Sequence, residues 1–170
     1  MAAPFEILIA RIETLNVDAI VNAANKELMP GAGVDGAIRA AAGSELTQLT
    51  STLAPLDDGE AKLTPAFKLS ARHIIHVAAP VWGEPGAKGD KVRALAACYT
   101  AAMALAGREK FTSIAFPCIG TGNFAWPRDF ACAIAVAACE EALLHASSLT
   151  RVVFCCFTEA DATPYRAALA

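Results

Sequence analysis

The chain has 170 residues and a mass of 17.6 kDa, which suffices for one domain with a sizeable hydrophobic core. Its net charge of −3 excludes a broad basic surface for nucleic acid, so an anionic ligand would have to be held locally. No uncharged apolar segment reaches the roughly 20 residues that a membrane span requires, and the N-terminus carries no export signal. We therefore expect a cytoplasmic protein that binds neither nucleic acid nor membranes.

In chain order, the first half predicts four strands and one short helix. Runs of branched and apolar residues predict the strands, which are Phe5–Ala10, Val17–Val21, Ala61–Leu63 and His73–Ala78. The helix covers Asp35–Ala42, and Gly43 is expected to end it.

The second half predicts helices that alternate with buried strands. The helices are Asp90–Ala106 with Gly107 as its stop, one that starts at Pro127 and runs to about Leu144, and Asp161–Leu169. The strands are Thr112–Phe116 and Arg151–Phe157. Because these strands are continuously apolar and alternate with helices, they predict an α/β fold whose parallel sheet is covered on both faces.

The six cysteines and the paired histidines do not predict a metal site. None of the cysteines forms a Cys-x-x-Cys pair, so they are expected to be free thiols in a reducing compartment. Adjacent Cys155 and Cys156 should point to opposite faces of a strand, which disfavours a bridge between them. His73 and His76 should likewise face opposite sides. We predict no metal and no cofactor.

Two glycine-rich loops, Pro30–Gly36 and Cys118–Asn123, each follow a predicted strand and lead into a helix. Their backbone N–H groups can wrap a phosphate at a helix N-terminus, so two such loops favour a ligand with two phosphates, or with a phosphate and a sugar. The alternative is that each loop is only a tight connection. Neither carries the ending of a Walker loop.

Polar and aromatic residues near these loops are candidate site residues with structural alternatives. Asn22 and Asn25 precede the first loop and suit hydroxyl recognition, or they fix the turn. Asp35 stands where it could cap a helix or act in catalysis. Phe124 and Trp126 follow the second loop, where an aromatic ring can belong to the core or stack on a sugar or base.

At these residues the sequence resembles the macrodomain family, specifically its mono-ADP-ribosyl hydrolases and O-acetyl-ADP-ribose deacetylases. The likeness runs in order across nearly the whole chain, through Val17–Asn25, Gly31–Ile38, Gly59–Ala61, His76–Trp82 and Ser113–Gly122. The resemblance implies a three-layer α/β/α sandwich on a mixed central sheet. It also implies a single macrodomain over residues 1–170, which we expect to be a monomer.

The resemblance further implies that ADP-ribose lies across the carboxyl ends of the strands. Asn25 matches the asparagine that contacts the distal ribose, and Asp35 the acidic residue used in catalysis. Phe157 matches an aromatic that stacks on adenine, and amides of the second loop would hold the diphosphate. The full set of expected ligand contacts is Arg11, Ile12, Asn22, Gly33, Val34, Cys118, Ile119, Gly120, Thr121, Gly122, Asn123, Phe124 and Phe157.

These matches imply a metal-independent hydrolase that acts on mono-ADP-ribosylated protein or O-acetyl-ADP-ribose. Asp35 would orient or deprotonate a water molecule while Asn25 holds the ribose hydroxyls. A non-catalytic ADP-ribose reader would need the same crevice without a role for Asp35. A phosphoesterase that acts on ADP-ribose phosphate is a third reading.

The chain departs from the family pattern at one end of the expected crevice. Arg11 stands where the family has an aspartate that accepts a hydrogen bond from the adenine amino group, and arginine only donates. Arg11 could stack on the base, reach a phosphate, or pair with Glu159 or Asp161, and the ligand could be a related nucleotide. Milder departures are Ala32, Gly120, Ala125 and Trp126.

Overall fold

Six short strands form one mixed sheet in the computed structural model, which describes residues 4–170. The strands are β1 Phe5–Ile9, β2 Ala19–Ala23, β3 Lys62–Pro65, β4 His73–Val77, β5 Ser113–Phe116 and β6 Arg151–Cys156. Their spatial order is β1-β6-β5-β2-β4-β3. Only β3 runs antiparallel to its neighbour β4 among these strands, and the other pairs are parallel.

Helices cover both faces of this sheet. They are α1 Gly33–Ala42, α2 Ser44–Thr50, α3 Lys88–Arg108, α4 Arg128–Leu143 and α5 Glu159–Ala168, and a 3-10 turn covers Ile12–Thr14. One hydrophobic core joins α3, α4 and α5 to the sheet, and a second core joins α1 and α2 to the other face. Successive side chains of a strand point to opposite faces of the sheet, so Cys156 lies in the first core and Cys155 in the second. The predicted α/β/α sandwich on a mixed sheet is confirmed.

Every predicted strand and helix is present, with ends displaced by at most two residues. Gly107 as the stop of the long helix is wrong, because α3 passes through it to Arg108. A Cβ at Gly107 would lie 3.4 Å from Ala146, so the glycine allows a close approach of the chain after α4. Helix α2 was not predicted. Gly43 ends α1 with φ 94°, but the chain turns helical again at once.

The sheet order brings the two glycine-rich loops together. The first loop follows β2 and the second follows β5, and these strands are adjacent and parallel. Both loops therefore leave the sheet at the same end, beyond the carboxyl ends of neighbouring strands, where open α/β sheets bind ligands. Within residues 4–170, none of the helices is long and apolar enough to cross a membrane.

Candidate functional site

A cleft of about 530 Å³ opens at the carboxyl ends of the strands, between the two glycine-rich loops and the end of β6. It brings together eight of the predicted ligand contacts, which are Arg11, Ile12, Gly33, Val34, Cys118, Thr121, Gly122 and Phe157. The sequence reasoning missed its other lining residues, which are Ala10, Glu13, Ala37, Pro117, Arg128, Cys155, Thr158 and Asp161. The spacing of Thr158 and Asp161 matches a helix capping box, so it indicates that Thr158 is the N-cap of α5.

Five predicted contacts do not line this cleft. Asn22 and Ile119 are buried beneath it, with exposed fractions of 0% and 1%. Gly120, Asn123 and Phe124 lie elsewhere on the second loop.

The second loop is fixed by Trp126, which belongs to the core. Its ring is 2% exposed, and its Nε1 donates to the Pro80 carbonyl at 2.8 Å. A Cβ at Gly120, where φ is 86°, would lie 2.6 Å from Trp126 Cδ1. A serine at position 120 would collide with this tryptophan. The two departures from the family pattern are therefore linked by packing.

Asp35 lies on the first turn of α1 and is only 3% exposed. Its Oδ2 accepts hydrogen bonds from Gly31 N at 2.7 Å and from Arg39 Nε at 2.9 Å. Its Oδ1 accepts one from Asn22 Nδ2 at 2.8 Å. Ala32, not Asp35, is the N-cap of this helix. The carboxylate therefore ties the first glycine loop to α1, and the i,i+4 spacing of Arg39 was a signal for the ion pair.

Asn25 lies beside Asp35 and closes the turn before the loop. Its Oδ1 accepts from Met29 N at 2.9 Å, and its Nδ2 donates to the Met29 carbonyl at 2.9 Å. A Cβ at Gly31 would lie 3.4 Å from Asp35 Oδ2 and 3.8 Å from Asn25 Nδ2. The two predicted catalytic side chains thus flank the same backbone position. The turn-fixing alternative holds for Asn25, whose second amide hydrogen stays available.

A buried polar chain continues from Asp35 across the sheet. Asn22 Nδ2 also lies 3.2 Å from His76 Nδ1 and can only donate to it, so this ring nitrogen accepts. The proton of the neutral ring is then on Nε2, which donates to Thr64 Oγ1 at 3.0 Å. Burial, reinforced by the Arg39 charge, lowers the pKa of His76 to about 4. His76 is therefore neutral near pH 7. Asn22 Oδ1 is buried without a partner among the described residues.

Two ion pairs stand at the β1–β6 end of the cleft. Arg11 Nε donates to Glu13 Oε1 at 2.7 Å, and Arg128 Nε donates to Asp161 Oδ1 at 2.8 Å. Of the alternatives for Arg11, pairing with Glu159 or Asp161 is not found, because Asp161 pairs with Arg128 and Glu159 with Arg166. Phe157 is 73% exposed beside these pairs, so its ring is free to stack on a ligand.

Glycine-rich loops that frame a cleft beyond the strand ends are the arrangement at which open α/β sheets bind their ligands. The Macro domain family model matches residues 21–135, and the chain belongs to this family. The ADP-ribose glycohydrolase MACROD1 of Rattus norvegicus is 41% identical over 157 residues, which cover 91% of this chain and 60% of that protein. The O-acetyl-ADP-ribose deacetylase of Klebsiella pneumoniae is 41% identical over 176 residues, which cover 100% and 98%.

A solved structure supports the same assignment. The Trypanosoma brucei macrodomain in complex with ADP-ribose superposes with a TM-score of 0.90 at 32% identity. The match covers 98% of this chain and 69% of that one.

The neutral state of His76 predicts a pH-dependent stability. Its pKa is about 4 in the folded chain and 6.5 as the ordinary value, so between these values the unfolded chain binds more protons. The free energy of unfolding should therefore fall as the pH drops from 6.5 towards 4, by about 3 kcal/mol from this residue. Urea unfolding of wild type and His76→Gln at pH 7 and pH 4.5 measures the difference, which should be smaller in the variant.

His145→Gln is the matched control, because this histidine is exposed on the chain after α4. It should keep the wild-type pH dependence. Equal pH dependence in wild type and His76→Gln would contradict the buried neutral ring.

Proposed function

We propose that this protein binds ADP-ribose across the cleft and hydrolyses ADP-ribosyl esters, on mono-ADP-ribosylated protein or on O-acetyl-ADP-ribose. The observation that carries the proposal is the meeting of both glycine loops at one cleft, with Asp35 and Asn25 flanking Gly31, two residues before the Gly33 that lines it. The names of the two relatives support the reaction class. The neighbouring complex with ADP-ribose supports the ligand.

The loops supply the positive potential that a diphosphate needs. Gly33 opens α1 with φ 62° and is exposed, so backbone N–H groups at this helix N-terminus are accessible to an anion. Thr121 and Gly122 lie on the facing wall. In our proposal the diphosphate lies between these walls, the base stacks on Phe157, and the distal ribose points to Asn25. Backbone amides neutralise the diphosphate without a cation.

Asp35 is proposed to orient or deprotonate the attacking water, because its carboxylate is held in a fixed position by Arg39 and Gly31 N. Its Oδ1 accepts one hydrogen bond and retains a second lone pair for a water or a ribose hydroxyl. Asn25 offers its second amide hydrogen to the ribose. Water then adds to the ester, the ester bond breaks, and a free carboxylic acid and an ADP-ribose hydroxyl result.

We further propose that residues 1–170 act as one macrodomain and as a monomer. The free cysteines favour a reducing compartment such as the cytoplasm. The non-catalytic reader is the alternative, and it differs from the hydrolase only in the part played by Asp35.

The Asp35→Asn variant separates these alternatives. We expect it to lower kcat by roughly 10²–10⁴-fold, since a group that positions the water for proton transfer contributes about this much. The affinity for ADP-ribose should fall by much less than kcat, because loss of the ion pair with Arg39 disturbs the first loop while the amides of the second loop remain. Release of ADP-ribose from a protein carrying a mono-ADP-ribosyl ester measures kcat, and calorimetry measures affinity.

Asp18→Asn is the matched control for lost stability. Asp18 lies just before β2, at the amino ends of the strands and away from the cleft. Its Oδ2 accepts hydrogen bonds from Thr112 N and Ser113 N. This variant should unfold more easily than wild type yet keep kcat. Unchanged turnover in Asp35→Asn would remove Asp35 from the reaction, and equal losses of binding and turnover would favour a purely structural role.

Because Arg11 can only donate hydrogen bonds, we expect recognition of the base to be altered. In our proposal, adenine lies at this end of the cleft, where Glu13 and Asp161 are already occupied by arginines. The Arg11→Asp variant would restore an acceptor for the adenine amino group. Its preference for ADP over IDP, which lacks that amino group, should rise about tenfold over wild type, as expected for one hydrogen bond.

Arg11→Ala is the control, since it frees Glu13 as Arg11→Asp does but adds no carboxylate at position 11. Its ratio of ADP to IDP affinity, measured by calorimetry, should be lower than that of Arg11→Asp. An unchanged ratio in Arg11→Asp would show that the base does not reach this position.

A further inference from the structure

The thiols of Cys118 and Cys156 form a close pair at the wall of the cleft. Their Sγ atoms are 3.7 Å apart, and the Cys118 thiol donates towards Cys156. The pair follows from the register of β5 and β6, in which Phe116 lies beside Phe154, so residues two positions further along are neighbours. A disulfide requires about 2.05 Å between the sulfurs, so side-chain rotation with a small backbone shift can close it.

The two thiols differ in access and in acidity. Cys118 lines the cleft, whereas Cys156 is fully buried behind it. The hydrogen bond from Cys118 lowers the pKa of Cys156, and the same bond together with burial raises the pKa of Cys118. The pair therefore combines a buried sulfur of lowered pKa with a neighbouring thiol that reaches the cleft. Cys155 also lines the cleft, but it belongs to the other face of the sheet.

We propose that Cys118 and Cys156 are an oxidative modification site at which a peroxide forms a disulfide. The Cys118 sulfur, which lines the cleft, attacks one peroxide oxygen, the O–O bond breaks, and a sulfenic acid and one water result. The Cys156 sulfur then attacks Cys118 Sγ, the S–O bond breaks, and a second water leaves. Two electrons pass from the sulfurs to the peroxide, and both thiol protons leave in the waters.

The disulfide would reshape the second glycine loop. The Cys118 carbonyl accepts hydrogen bonds from Thr121 N at 3.3 Å and from Thr121 Oγ1 at 3.0 Å. A movement of Cys118 towards β6 therefore displaces Thr121, which lines the cleft. Oxidation should weaken ADP-ribose binding, and bound ADP-ribose should disfavour the disulfide at equilibrium by the same factor. This consequence rests on the proposed function, whereas formation of the disulfide does not.

The test treats the reduced protein with hydrogen peroxide and maps its disulfides by peptide mass spectrometry. We expect a Cys118–Cys156 crosslink that dithiothreitol reverses, and a loss of ADP-ribose affinity of roughly fivefold or more in the oxidised protein. Absence of this crosslink, or a crosslink that leaves the affinity unchanged, would overturn the proposal. Failure of the reduced protein to bind ADP-ribose would count against the proposed function, and the mapping would still decide the chemistry.

Two alanine variants make the test specific. Cys156→Ala removes the buried partner, so its ADP-ribose affinity should be insensitive to peroxide. Cys155→Ala should form the same crosslink as wild type. If Cys156→Ala does not fold, Cys118→Ser replaces it, and loss of the crosslink there is the supporting result. A peroxide effect on affinity that persists without the pair would contradict the assignment.

Discussion

The ion pair between Asp35 and Arg39 is the interaction on which the cleft depends. A carboxylate that is 3% exposed is costly unless it is paired, and here one guanidinium and two N–H donors compensate for the lost water. The remaining guanidinium hydrogens go to Thr50 Oγ1 and the Leu28 carbonyl, among other acceptors. One charged pair therefore connects α1, α2 and the turn after β2. The shape of the first glycine loop follows from this connection.

The two walls of the cleft are held by different means. The first wall depends on the buried polar chain from Arg39 through Asp35, Asn22 and His76, whose members are fully satisfied except at Asn22 Oδ1. The second wall depends on packing against Trp126, which requires a glycine at position 120. Hydrogen-bonded chains are specific in geometry. Because Cys118 belongs to the second loop and not to the polar chain, the proposed oxidation would act on the second wall.

The elements and both glycine loops could be predicted because their signals are local. Apolar periodicity, the glycines and the carboxamides each occupy a few consecutive residues. The buried polar chain could not be predicted, since Asn22 and His76 are 54 residues apart and meet only through the register of β2 and β4. The partner of Arg11 could not be predicted, because several carboxylates lie within its reach. Arg11 pairs with Glu13, two residues away, and Asp161 pairs with Arg128. Helix α2 was missed because Gly43 ends one helix without ending helical structure.

In the function proposed here, the cleft binds ADP-ribose although Arg11 stands where the family has an adenine acceptor. A calorimetric titration with ADP-ribose, with ADP and ribose 5-phosphate titrated in parallel, tests this directly. We expect micromolar binding of ADP-ribose and weaker binding of ribose 5-phosphate, which lacks the base and the diphosphate. Absence of binding by all three ligands would contradict it, because the fold would then be retained with a different ligand in the cleft.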